Sequence, residues 1–210
     1  MEGNRYRHAF SSPEAHNETR ITSLCQDNDL FLWIGTADQG LFRLDTSTHA
    51  YTLFRYNESD EESLPSNRIT RIYKDQTHRL WVSTEDAGLC QFNFQTGKFT
   101  RYTPDSPPSR RLPTLKIGPI VADRSGNLFI GSQSHGLFCL PVKRQEFVPL
   151  TSGDDALFSN LSINSLFVDE RDILWIGTKE KGLYYLDGPW SIERRIKFFQ
   201  LSPQPFLSPG

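Results

Sequence analysis

Four stretches of this chain say nearly the same thing. Leu32–Leu44 reads LWIGTADQGLFRL, and the same pattern returns as LWVSTEDAGLCQF (80–92), LFIGSQSHGLFCL (128–140) and LWIGTKEKGLYYL (174–186). Each is an apolar run, a small pair, a three-residue polar gap, a glycine and a second apolar run. A fixed repeat of this length restricts the fold to repeat architectures, so it governs every other reading.

The register extends beyond the core phrase. The aromatic of the first run falls at Trp33, Trp81, Phe129 and Trp175, spaced by 48, 48 and 46 residues. The glycine opening the second run falls at Gly40, Gly88, Gly136 and Gly182. An aspartate stands six residues before each aromatic (Asp27, Asp75, Asp123, Asp169), and an isoleucine opens an earlier apolar run (Ile21, Ile69, Ile117, Ile163). A fourth run closes each repeat: Tyr51–Tyr56, Lys98–Tyr102, Glu146–Leu150 and Lys197–Leu201. In the first repeat the other runs are Ile21–Gln26, Leu30–Thr36 and Leu41–Asp45. All are short, rich in aromatic and branched residues, and bounded by Asp, Gly, Asn or Thr, which is the pattern of strands.

Four strands per repeat of about 48 residues describe one propeller blade. The expected fold is all-β: a β-propeller of four four-stranded blades, partial or open. Blades stack face on face, so the middle strands can be apolar at consecutive positions, as in Leu32-Trp33-Ile34. The glycine after that run (Gly35, Gly131, Gly177, with Ser83 in the second copy) is expected where a neighbouring backbone comes close. The repeat aspartate is expected to start a tight reversal, as in Asp123–Asn127, through side-chain bonds to its own backbone.

The blades are expected at about 21–68, 69–116, 117–162 and 163–201. Residues 1–20, with a strand at Arg5–Phe10, are read as belonging to a preceding blade, and 202–210 as a tail. The polar segments Asn57–Arg68, Thr103–Lys116 and Thr151–Ser162 are expected as surface loops. The last blade shows no polar replacement that would cap a stack, so the expectation is a piece of a larger propeller.

With 15 Phe and 4 Trp among 210 residues, the chain can bury a core. A net charge of −2 gives no basic field for nucleic acid. No apolar run approaches the ~18 residues of a membrane span, and the N-terminus shows no secretory pattern. Cys25, Cys90 and Cys139 lie within apolar runs and are expected as buried free thiols. His8, His16, His49, His78 and His135 are scattered, so no metal cage and no cofactor is expected. No nucleophile elbow and no acid–base pair points to catalysis.

The repeat, with the loop Ser63–Ile69 (SLPSNRI), resembles the two-component regulator propeller repeat, and the resemblance runs over about residues 21–201. The third copy departs with Phe129 and Ser132, the second with Ser83. The resemblance implies a periplasmic, bacterial sensor region, in a parent that continues into further blades, an immunoglobulin-like domain, a membrane helix and a signalling output. It also implies ligands such as glycans.

Binding residues are expected in the loops between second and third strands, which emerge on one face with the loop entering the next blade. The repeats disagree there while the flanking residues agree, as on other rigid scaffolds that carry variable loops. The candidates are Asp38 and Gln39, Glu85 and Asp86, Gln133 and His135, and Lys179, Glu180 and Lys181. The alternative for these loops is plain solvated turns. The expected function is a non-enzymatic sensor segment binding a glycan or other small polar ligand, with a protein–protein interaction scaffold as the alternative.

Overall fold

A computed structural model describes residues 19–27, 30–144, 146–150 and 160–186. Four separate antiparallel sheets account for all of the strands in them. The first sheet runs β1 (Ile21–Gln26), β2 (Phe31–Thr36), β3 (Leu41–Asp45) and β4 (Tyr51–Phe54) in simple meander order. The second repeats it with β5 (Ile69–Lys74), β6 (Leu80–Thr84), β7 (Leu89–Asn93) and β8 (Lys98–Tyr102). The third has β9 (Ile117–Ala122), β10 (Leu128–Ser132), β11 (Leu137–Leu140) and β12 (Val148–Pro149). The fourth has β13 (Ile163–Val168), β14 (Leu174–Thr178) and β15 (Leu183–Leu186). The strands expected at Arg5–Phe10 and Lys197–Leu201 lie outside the described residues. The all-β expectation of propeller blades, as a partial propeller, holds: each sheet is one blade. The blade-closing strand expected at Glu146–Leu150 is shorter, Val148–Pro149, with the Leu150 N–H beyond it still donating to Leu137 O at 2.8 Å.

The chain divides into two compact units. The first holds blades 1 and 2 and the second blades 3 and 4, with the Asp75–Thr77 turn grouping with the latter. In the first unit one core joins Trp33 and Leu41 of blade 1 to Ile69, Ile72, Leu80 and Val82 of blade 2. Leu64, from the loop between them, is fully buried in it. The Asn57–Arg68 loop is therefore more than a solvated connection. The Phe99 N–H donates to Glu62 O, Lys98 pairs with the Glu62 carboxylate, and Arg101 Nη2 donates to Ser63 O at 3.1 Å. In the second unit Phe129, Leu137 and Cys139 of blade 3 share a core with Ile163, Leu174 and Ile176 of blade 4.

Blade meets blade through one recurring fit. A Cβ placed on Gly35 would stand 2.6 Å from Ile69 Cγ2, and one on Gly131 would stand 2.6 Å from Ile163 Cγ2. The glycine of one blade is thus a socket for the isoleucine that opens the next. The close neighbour is this side chain rather than the backbone expected from sequence. Every first strand carries the same irregularity beside that isoleucine: Ile21 pairs with Thr36 but Ser23 with Gly35, and the shift recurs at Ile69, Ile117 and Ile163. One extra residue bends the strand start and re-aims its side chain. Ser83, the glycine replacement in blade 2, bonds its hydroxyl to Thr70 Oγ1 at 2.9 Å.

The three cysteines are free; Cys90 and Cys139 are buried and Cys25 is half-buried. Burial pushes the Cys90 and Cys139 thiols up, away from the reactive thiolate.

Candidate functional site

The loop between second and third strands is built identically in all four blades. The residue ending the second strand is Thr36, Thr84, Ser132 or Thr178, and its hydroxyl donates to the carbonyl of Gly40, Gly88, Gly136 or Gly182 at 2.7, 3.1, 3.0 and 2.8 Å. The same oxygen accepts the N–H of Gln39, Ala87, His135 or Lys181 at 3.0, 3.0, 2.8 and 3.0 Å. The glycines hold φ of 94°, 79°, 72° and 79°, a region glycine enters without a side-chain clash. The first loop residue is also tied: the N–H groups of Ala37, Glu85, Gln133 and Lys179 donate to the carbonyls of Arg20, Arg68, Lys116 and Ser162. The Gly40 and Gly136 N–H groups donate to Asn67 O and Leu161 O in the loops entering the next blade. In blades 1 and 3 the loop between second and third strands is therefore bonded to the loop entering the next blade.

In the first unit Asp38 is exposed and Gln39 half-buried. The Gln39 carbonyl accepts from Arg55 Nε at 3.3 Å, and its side-chain Oε1 is buried without a partner. Glu85 and Asp86 are exposed and share one cation, Arg68, at 2.6 and 3.6 Å. Arg68 was not among the candidates. Its signal was available, because Arg20, Arg68 and Lys116 each stand directly before the opening isoleucine.

In the second unit Gln133, His135, Lys179, Glu180 and Lys181 are exposed. His135 adjoins a cavity. The cavity, about 480 Å³, lies between blade 3 and the preceding loop with its 3₁₀ turn, Pro108–Arg110. Leu137, Phe138 and Leu150, all buried, line it together with Pro108, Pro113, Pro149 and Phe147. Its polar lining is Arg111, His135 and Glu146. The His135 ring Nδ1 is 2.9 Å from Ser134 Oγ, and Arg111 Nε donates to Ser106 O at 3.3 Å. The volume is that of a small-molecule site, which is typically apolar with a few polar groups. No sequence signal marked this cavity, because it needs a loop and an outer strand from different parts of the repeat. Among the described residues no three His, Cys, Asp or Glu side chains are grouped to hold a metal ion.

The family model described as two-component regulator propeller matches residues 63–86 and 157–180. The first match runs from the SLPSN loop through β5 and β6, and the second covers the corresponding stretch of blade 4. Two stretches of the chain thus match the two-component regulator propeller repeat. Among solved structures, the extracellular domain described as that of a hybrid two-component system from B. thetaiotaomicron aligns with a TM-score of 0.67 at 22% identity, over 94% of this chain and 24% of its own. A second such domain from the same organism aligns with a TM-score of 0.59 at 22% identity, over 93% of this chain and 30% of its own. Virginiamycin B lyase from Staphylococcus aureus shares the fold at 10% identity, with a TM-score of 0.63 over 90% of this chain and 58% of its own. The chain thus spans about a quarter to a third of the two B. thetaiotaomicron domains. No curated protein matches it.

Proposed function

We propose that this chain is a non-enzymatic sensor segment of a two-component-type receptor and that it binds a glycan or similar small polar ligand in the cavity beside His135. The regulator-propeller repeats and the extracellular domains that share the fold support a signalling role outside the cytoplasm. Further blades and an output domain in a parent chain belong to this reading.

The observation that carries it is the make-up of the cavity. A sugar ring has an apolar C–H face and a rim of hydroxyls. Phe138, Phe147 and three prolines offer apolar surface to the face. Arg111, His135 and Glu146 offer donors and an acceptor to the rim. The nine loop candidates thereby narrow to one, His135, joined by Arg111 and Glu146, which sequence reasoning passed over.

Calorimetry against a panel of neutral and acidic oligosaccharides tests this. Binding should appear with at least one member and weaken at least about tenfold, ~1.4 kcal/mol, in Arg111→Ala and His135→Ala. Loss in Asp86→Ala with no change in Arg111→Ala would move the site to the loops of blades 1 and 2. Absence of binding to every member would overturn the reading.

A further inference from the structure

The cavity beside His135 has a filled counterpart in blade 2. There the entering loop turns at Asp60–Ser63, where the Ser63 N–H donates to Asp60 O at 3.0 Å. The loop entering blade 3 makes the same turn 48 residues later, the Arg111 N–H donating to Pro108 O at 3.3 Å. The leucines that follow, Leu64 and Leu112, are both fully buried. The outer strands correspond as well: β8 pairs Arg101 with Cys90 of β7, and β12 pairs Pro149 with Phe138 of β11. Loop and outer strand therefore stand in the same register in the two blades.

In blade 2 the space between them is filled from within. The Arg101 guanidinium reaches from β8 to the turn, its Nη2 donating to Asp60 O at 3.0 Å and to Ser63 O at 3.1 Å. Blade 3 has Pro149 at that place, with neither the donors nor the length to reach the turn, and Leu150 where blade 2 has the larger Tyr102. The cavity of about 480 Å³ lies where these side chains are missing, and Pro108, Arg111, Pro149 and Leu150 all line it. Among the described residues nothing replaces the guanidinium: Pro108 O accepts only the Arg111 N–H, and Arg111 O accepts no hydrogen bond.

The charge of the turn changes too. Asp60, Glu62 and Ser63 of blade 2 become Pro108, Arg110 and Arg111, while Glu146 stands at the place of Lys98. Two arginines against one carboxylate leave the surroundings positive, which disfavours a cation in the cavity. Neutral donors fit. A hydroxyl donates one hydrogen, and two on adjacent carbons of a sugar ring stand close enough to serve two carbonyls of one turn.

We propose that the cavity is the vacated seat of the blade 2 arginine: two neighbouring hydroxyls of a bound sugar donate to Pro108 O and Arg111 O, and Pro149 keeps the seat free for them. This rests on the reading of the cavity as the glycan site. It adds backbone carbonyls as the anchor, and position 149 as the residue that sets whether the seat holds a ligand or the blade's own side chain.

Pro149→Arg, compared with Pro149→Ala by calorimetry against the same oligosaccharide panel, tests this. Pro149→Ala gives up only the apolar contact of the ring and should weaken binding about threefold. Pro149→Arg should weaken it at least about tenfold further, because its guanidinium takes both carbonyls. For the same reason its urea midpoint should be no lower than that of Pro149→Ala. Argininamide, a guanidinium without hydroxyls, should give no heat with wild type. A Pro149→Arg chain that binds as well as Pro149→Ala, or unfolds at a lower midpoint, overturns the inference and leaves the cavity reading to the Arg111→Ala and His135→Ala results. Argininamide that binds and competes with the oligosaccharide overturns it by giving the seat to a cation. A wild-type chain that binds no member of the panel overturns the cavity reading and this inference with it. Should Pro149→Arg fail to fold by circular dichroism, Pro149→Gln, a neutral donor at the same place, gives the same readout.

Discussion

Four hydroxyls, on Thr36, Thr84, Ser132 and Thr178, each donate to a glycine carbonyl and accept a loop N–H. This is why threonine and serine exchange at that position and why apolar residues of similar size do not appear. Thr84→Val, fully buried, should destabilise the chain by about 1–3 kcal/mol in urea unfolding, because the Ala87 N–H loses its acceptor. Thr84→Ser should recover most of that. The repeat aspartates show how a single exchange is absorbed. In blade 4, Asp169 Oδ2 accepts Trp175 Nε1 at 3.1 Å. Blade 3 has Phe129 in place of the tryptophan, and Asn127 Nδ2 supplies the donor to Asp123 Oδ2 at 2.7 Å. In blade 1 the same oxygen of Asp27 takes Arg43 Nη2 at 2.9 Å, and the buried Trp33 Nε1 has no partner. The Arg43 guanidinium also lies 3.9 Å over the Phe31 ring and 5.5 Å over the Trp33 ring. The Ile173 N–H, then the Trp175 and Arg171 donors, hold the Asp169 carboxyl down at about 2. Its folded value is below the unfolded one, so its contribution is present above about pH 4 and is lost as pH falls toward about 2. The stability gap between wild type and Asp169→Asn should therefore shrink over that window, and an unchanged gap would remove Asp169 from the stabilising set.

At the scale of the strand and blade, hydrophobic spacing made the architecture legible. The Ile, Asp, aromatic and glycine positions each mark a structural event that recurs once per blade. What stayed hidden was three-dimensional pairing. Gly35 and Ile69 are far apart in the chain, and nothing in either position announces that one receives the other. The strand irregularity next to each isoleucine was equally silent, because the residues there are Thr22, Thr70, Gly118 and Asn164, with no shared chemistry. The fit predicts a contrast between two glycines with the same sequence context. Gly35→Ala should destabilise by about 1–3 kcal/mol, since Ile69 Cβ and Cγ2 cannot withdraw. Gly177→Ala should cost clearly less, because the nearest obstacle is a serine hydroxyl that can rotate away. Equal penalties in parallel denaturation curves would mean that the interblade fit does not set the glycine requirement.

For the molecule as a whole, the variable loops drew attention from sequence because repeats make disagreement visible. Three of their positions turn out to be engaged in ways that variability could not reveal: Glu85 and Asp86 by Arg68, and His135 by the cavity. Arg111 lies in a loop where the repeats cannot be aligned closely, and Glu146 and Phe147 stand in the closing run at the places of Lys98 and Phe99, where a strand reading gives no reason to single them out. The central claim is that the ligand enters the cavity beside His135. The most direct measurement is backbone NMR shift mapping of the full chain during titration with an oligosaccharide that gives heat. The account predicts that the perturbed amides cluster in three segments, 109–112, 133–138 and 146–148, and that His135→Ala suppresses the shifts. Perturbations centred on the loops at 37–39 and 85–87, or shifts that His135→Ala leaves intact, would contradict it.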